Sequence, residues 1–190
     1  VNVWVASDQG WLQPGTWPAL EWLDPVPAGG VLAIENSVDE SRYFGLRAVP
    51  LPDGRTCLTV AFVVGTYAEM LQAAQPYIDQ PNIMFAVTPS IDLHWPTALE
   101  RRRQVVGYGE MVKWTDPVRQ LIRQGMVVHS GETMLAEHMQ RAVAVRSQNS
   151  IALSSQRSPG PIELARCAVW ATALASKPKA QGKPAFGIAS

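Results

Sequence analysis

The chain alternates short apolar runs with polar breaks, and the spacing changes from strand-like to helix-like about a third of the way along. Val31-Leu32-Ala33-Ile34 is an apolar run that stops at Glu35-Asn36-Ser37, which predicts a buried strand with a polar end. Arg42 to Val49 reads as a second strand, and Thr56 to Val64, rich in Val, Leu, Thr and Phe, as a third. Pro52-Asp53-Gly54 marks the turn between them, because proline presets φ and glycine accepts a positive φ. Three strands joined by short turns predict an antiparallel meander. From Thr66 to Ile78 the apolar residues Met70, Leu71, Ala74 and Ile78 recur on one helical face, and Thr66 with Glu69 fits a capping box. Ile83 to Val87 predicts a fourth strand, ended by Thr88-Pro89, and Val105-Val106 a short fifth. Glu110 to Gln124 predicts a helix with Gly125 past its end, followed by a short strand over Met126 to Val128. A helix starting between Ser130 and Thr133 is expected to run to about Val145, and Ile151 to Leu153 to be extended. The last helix is expected to start near Pro161, a first-turn proline, and to run to about Ala175.

The ends have a different texture. In residues 1–30, Trp4, Trp11, Trp17 and Trp22 are interleaved with Pro14, Pro18, Pro25 and Pro27 and close on Gly29-Gly30. Proline blocks regular pairing there, while tryptophan is costly to leave in water. This lead-in is expected to lie across the surface of a domain or to dock on a neighbouring one. Residues 177–190, with Lys177, Lys179 and Lys183 among prolines, are expected to form a basic, flexible tail. The segment between, 31–176, is one α/β domain: a mixed sheet with helices on its faces.

Composition narrows the class. At 190 residues with 47% hydrophobic and 17% charged residues, the chain can bury a core, which excludes a disordered protein. No apolar run approaches the roughly 20 residues that cross a bilayer, and no secretory leader pattern opens the chain. Cys57 and Cys167 sit in apolar runs and read as small core residues of a reducing compartment. The formal net charge is +0, but residues 1–95 hold ten acids and three bases, and residues 96–190 hold six acids and thirteen bases. An acidic half joined to an Arg-rich half suits a protein that holds metal ions and phosphates, or is ordinary solvated charge.

Several residues are candidates for chemistry. Glu35 ends the first strand, where an open sheet presents side chains to ligands, and Asp39 follows four residues later. A carboxylate fixed at a strand end holds a hard divalent cation; the alternative is a plain polar turn. Glu163 is the acid in the first turn of an otherwise apolar helix, placed there either for the helix dipole or as a second metal ligand. Asp92, after the fourth strand, is the nearest third candidate; the alternative is a loop acid capping the next helix. His94, His129 and His138 read as hydrogen-bonded structural residues. Arg101-Arg102-Arg103 is the densest positive cluster, and with Arg157 and Arg166 supplies the candidate contacts to DNA phosphates. The alternative is a solvated surface with intrahelical pairs such as Glu137 and Arg141. Phosphate-loop, serine-elbow, zinc-spacing and dinucleotide signatures are missing from the sequence.

Three hairpin-linked strands followed by parallel crossovers resemble the ribonuclease H-like plan. Three stretches resemble the C-terminal nuclease domain of a tailed-bacteriophage terminase large subunit of the actinobacterial phage and prophage type. They are Asn2-Val3-Trp4 to Trp17, Val31 to Leu46 with Ile34-Glu35-Asn36-Ser37-Val38-Asp39, and His129 to Leu135 continuing through Pro161-Ile162-Glu163-Leu164-Ala165. The resemblance implies a metal-dependent endonuclease that cuts concatemeric double-stranded DNA during genome packaging. It implies a two-metal Mg²⁺ or Mn²⁺ site with Glu35, Glu163 and Asp92 as catalytic ligands and Asp39 as a further ligand. Implied partners are a terminase ATPase domain or subunit, the terminase small subunit and the phage portal, in the host cytoplasm and without a membrane. The lead-in would then leave an ATPase domain, and the chain would be either a fragment or a separate subunit. Glu35 and Glu163 stand where the family usually has Asp, and the acid expected at the end of the fourth strand falls near Thr88. The alternative function is therefore a catalytically weakened or inactive DNA-binding and assembly module.

Overall fold

The computed structural model describes residues 10–147 and 150–177. Six strands form one mixed sheet in the order β5-β4-β1-β2-β3-β6. They are β1 Gly30–Asn36, β2 Tyr43–Pro50, β3 Thr56–Val64, β4 Ile83–Val87, β5 Arg103–Val105 and β6 Val127–His129. The first three make the expected antiparallel meander, while β4 joins β1, β5 joins β4 and β6 joins β3 in parallel. The helices are α1 Tyr67–Ile78, α2 Pro89–Asp92, α3 Tyr108–Arg123, α4 Thr133–Arg141 and α5 Glu163–Ala175. Among the described residues, no helix is long and apolar enough to cross a membrane.

Strand alternation divides the core in two. Val31 and Ala33 of β1, with Phe44, Leu46 and Ala48 of β2, face α3, α4 and α5. Leu32 and Ile34, with Ile83, Phe85 and Val87 of β4, face α1. By the same period of two, Glu35 points to the α5 side of the sheet. In β3 the parity shifts. Gly45 pairs with Phe62 but Leu46 pairs with Val60, so Ala61 is an extra residue, a β-bulge. Leu58 and Val60 pack on the α5 side, whereas Phe62 packs on the α1 side. The Val60 N–H beside the bulge donates to Glu132 Oε1 at 3.0 Å.

Local chemistry explains the element ends. Thr66 and Glu69 form the capping box at the start of α1, and Gly125 takes φ +71° just past α3. Helix α5 carries eight buried residues, from Leu164 to Thr172, because it lies between the sheet and α3 and α4. An all-round apolar helix needs that position. Cys57 and Cys167 are buried free thiols.

Three expectations are corrected. Helix α4 stops at Arg141, and Ala144–Ser147 forms β7, which pairs with β8 Ser150–Leu153 as a separate hairpin. Helix α5 begins at Glu163, two residues after Pro161. The fourth strand runs into the short α2 and a 3-10 turn, Thr97–Arg102, which the pattern did not reveal.

The lead-in packs within the chain. Trp11 and Trp17 are 1% and 2% exposed and belong to the α5-side core. Trp17 stacks on His129 with centroids 4.3 Å apart, and His129 Nε2–H donates to the Trp17 carbonyl at 2.8 Å. Gly10 bridges to Val143, and Glu21 to His129. Trp4 and tail residues 178–190 lie outside the described residues.

Candidate metal centre

Glu35 is set by the pleat of β1, and Glu163 by the first turn of α5, the helix that covers that face. Glu35 is 7% exposed. Burial pushes its carboxyl from an ordinary 4.5 up to about 8; the nearby Arg166 charge opposes this and the Glu163 charge adds to it. Glu35 Oε2 and Glu163 Oε2 are both buried without a hydrogen-bond partner. Arg166, one turn after Glu163, places Nε 3.0 Å from Glu35 Oε1. That N–H makes no hydrogen bond, so the contact becomes an ion pair only where Glu35 is ionised. The guanidinium also donates from Nη1 to Ser155 Oγ at 3.3 Å and lies over the Trp170 ring.

The start of α5 is held from outside. The Leu164 N–H donates to His138 Nδ1 at 3.1 Å across the α4–α5 contact. Burial, and then the charge of Arg141, lowers the His138 pKa to about 4, so the ring is neutral and its Nδ1 is free to accept. His138 was expected to be structural, but its link to the residue after Glu163 has no local sequence signal, because 26 residues separate the pair.

A cavity of about 390 Å³ opens over Glu35, with Thr88, Ser90, Tyr108 and Arg166 among its walls; Glu163 is not part of its lining. Thr88 continues the Ala86 parity of β4 and is 7% exposed, at the place where the third acid was expected. Asn36 Oδ1 accepts from Ser90 Oγ at 2.6 Å and ties the ends of β1 and α2 together.

The other expected ligands are engaged elsewhere. Asp92 forms a salt bridge with Arg103, which joins α2 to β5. Asp39 Oδ1 accepts from Ser37 Oγ, Ser41 Oγ and the Ser41 N–H, which lowers its pKa to about 2 and locks the β1–β2 turn. Arg102 is turned inward: its guanidinium donates to the carbonyls of Tyr77, Ile78, Gln80 and Ile83 around the end of α1. Arg102 and Arg103 are therefore internal ties, whereas Arg101 and Arg157 are exposed.

A buried carboxylate, Glu35, and a half-buried one, Glu163, each with a buried unpaired oxygen, suit a hard divalent cation, which offers the charge and coordination that no hydrogen-bond donor gives those oxygens. Among the described residues, no group of three or more His, Cys, Asp or Glu is gathered for a metal. The candidate donors are thus Glu35 and Glu163, with Thr88 sharing the Glu35 cavity in place of a third acid.

No family model matches the sequence, and no curated protein matches it. Among solved structures, the chain is similar to the HK97 bacteriophage large terminase, with a TM-score of 0.67 and 12% identity over 88% of this chain and 43% of that one. It is also similar to the large terminase nuclease from thermophilic phage G20c with bound magnesium, with a TM-score of 0.55 and 10% identity over 87% of this chain and 97% of that one. A second structure of the G20c nuclease gives a TM-score of 0.52 and 10% identity over 83% and 93%. The chain thus spans less than half of the HK97 large terminase and nearly all of the G20c nuclease. At these identities the likeness is one of fold, and the chain has the ribonuclease H-like fold of phage large-terminase nuclease domains.

Proposed function

We propose that this chain is the divalent-metal-dependent DNA endonuclease domain of a phage terminase, cutting concatemeric DNA during genome packaging. The observation that carries the reading is the pair of buried, unpaired oxygens, Glu35 Oε2 and Glu163 Oε2, in a fold shared with terminase nucleases. Glu35 and Glu163 would hold Mg²⁺ or Mn²⁺. When bound, the cation supplies Lewis acidity that makes water a nucleophile at neutral pH and stabilises the oxygen leaving the phosphodiester. Glu35 would hold the cation as a carboxylate, since a bound cation favours the ionised form that burial alone disfavours. Arg166, beside Glu35 and lining the same cavity, would pair with a phosphate there. Ser90 and Asn36 fix the strand end, and His138 fixes the first turn of α5. In this reading, double-stranded DNA is the substrate, and an ATPase domain or subunit, the small subunit and the portal are the assembly partners in the host cytoplasm.

Thr88 in place of a third acid, and Asp92 engaged by Arg103, favour a second reading: a nuclease weakened in catalysis that keeps its DNA-binding and assembly roles. Cleavage of supercoiled plasmid with Mn²⁺ and Mg²⁺ separates the two. Nicking or linearisation that Glu35→Ala and Glu163→Ala both abolish supports the first. DNA binding without cleavage in either metal supports the second. Cleavage untouched by either substitution refutes the proposed site.

A further inference from the structure

Beside the β7–β8 hairpin lies a second cavity, of about 450 Å³, and three arginines line it: Arg119 from α3, Arg146 from β7 and Arg157 from the loop after β8. No acidic side chain is among its lining residues. Arg119 is paired with Asp116 one turn earlier, yet its Nε is buried without a partner. Arg146 and Arg157 make no salt bridge among the described residues. Three arginines against one carboxylate leave an excess of positive charge around the cavity, which is costly to assemble unless an anion shares it.

The cavity is built. Ser158 Oγ donates to the Ser154 carbonyl at 2.7 Å and accepts from the Val143 N–H at 3.0 Å, which clamps the Arg157 loop to the base of β7. The Arg157 N–H donates to Ser154 Oγ within the same loop. Two residues before Arg157, Ser155 Oγ receives the Arg166 guanidinium of the carboxylate site. Val145 lines both this cavity and the one that opens between the hairpin, Tyr108 and Arg166. One short loop and one strand therefore connect the arginine cavity to the catalytic mouth.

We infer that Arg119, Arg146 and Arg157 form a phosphodiester-binding site for the backbone of duplex DNA beyond the scissile position. Three arginines lining one cavity suit backbone phosphates better than a carboxylate ligand or an apolar one. The inference rests on the nuclease reading for the identity of the substrate, and it assigns the hairpin a role: Arg146 of β7 and Arg157 after β8 hold the duplex away from the carboxylate site. Such contacts position the duplex and carry no sequence information.

The test is fluorescence anisotropy of a labelled 30-base-pair duplex, in EDTA to prevent cleavage, across a series of salt concentrations. Wild type is compared with Arg146→Ala/Arg157→Ala, both exposed positions, and with Arg101→Ala as a surface-charge control. The double variant is expected to bind about tenfold more weakly, with a log–log salt slope shallower by about 2, one unit for each lost phosphate contact. Arg101→Ala is expected to change the slope by less than half of that. The Mn²⁺-induced rise in Tm is measured in parallel and is expected to be the same in wild type and double variant. A double variant with wild-type affinity and slope overturns the arginine site and leaves the nuclease reading standing. Wild type that fails to bind the duplex at low salt overturns both. Inorganic phosphate that displaces the duplex at low millimolar concentration overturns the assignment to duplex backbone and points to a small-anion site.

Discussion

Arg166 Nε lies 3.0 Å from Glu35 Oε1, so the helix that carries Glu163 also delivers a guanidinium to the buried Glu35. Glu163 and Arg166 are three residues apart on α5 and share a face, which makes the arrangement a property of one helix packed on one strand end. The charge it balances is Glu35's, and Glu35 keeps a proton up to about pH 8. Arg166→Gln is therefore expected to cost about 1–3 kcal/mol at pH 9, where Glu35 is ionised, a buried-pair cost discounted for the partial exposure of Arg166. At pH 6 the cost should be less than half as large. Urea unfolding at the two pH values measures it, and an equal loss at both refutes the pairing.

Two titrating groups give the fold opposite pH limbs. Glu35 holds a proton that the unfolded chain loses, so it removes stability as pH rises from about 4.5 to about 8. His138 stays neutral where the unfolded chain gains a proton, so stability is lost as pH falls from about 6.5 to about 4. In thermal melts without divalent metal, Glu35→Gln is expected to flatten the alkaline limb and His138→Gln the acid limb. If the substitutions leave both limbs unchanged, other groups govern the profile.

Thr88 offers a gain-of-function test. It shares the cavity with Glu35 and occupies the end of the strand parallel to β1. Thr88→Asp adds a third carboxylate, so Mn²⁺ affinity should rise at least about tenfold, as expected when a hard cation gains an anionic oxygen. Stability without metal should fall by about 1–3 kcal/mol from the added buried charge. Isothermal titration calorimetry and melts read the two effects, and unchanged affinity would mean that Thr88 does not face the metal position.

Much of this arrangement was legible in the sequence. The apolar run ending at Glu35 marked the strand end, Ile83–Val87 came out residue for residue, and Thr66 with Glu69 announced the start of α1. Glu163 stood out as the acid of an apolar helix. What stayed hidden depends on contacts distant in the sequence. Ala142-Val143-Ala144-Val145 suits a helix or a strand; pairing of Ala144 and Val145 with β8 makes the strand, and the bridge from Gly10 holds Val143 before it. The run Arg101-Arg102-Arg103 reads as a basic surface, but Arg102 closes the carbonyl end of α1, more than 20 residues away. Asp92 reads from the sequence as a third metal ligand or a capping loop acid, but β5 brings Arg103 to it. Arg166 reads from the sequence as a DNA contact, because the burial of Glu35, against which it packs, has no sequence signature.

The lead-in belongs to the fold from Gly10 onward, because Trp17 is buried against His129. Trp17→Ala is expected to cost about 3–5 kcal/mol, the range for removing a buried aromatic. Loss of less than about 1 kcal/mol in chemical denaturation would show that the segment docks elsewhere.

The most direct measurement is Mn²⁺ binding at pH 8 by electron paramagnetic resonance, comparing wild type with Glu35→Gln and Glu163→Gln. The expected result is Mn²⁺ bound by wild type and at least about tenfold weaker binding in each variant, with the fold intact by circular dichroism. Binding unchanged in both variants, or no binding by wild type at millimolar Mn²⁺, would contradict a metal centre built on Glu35 and Glu163.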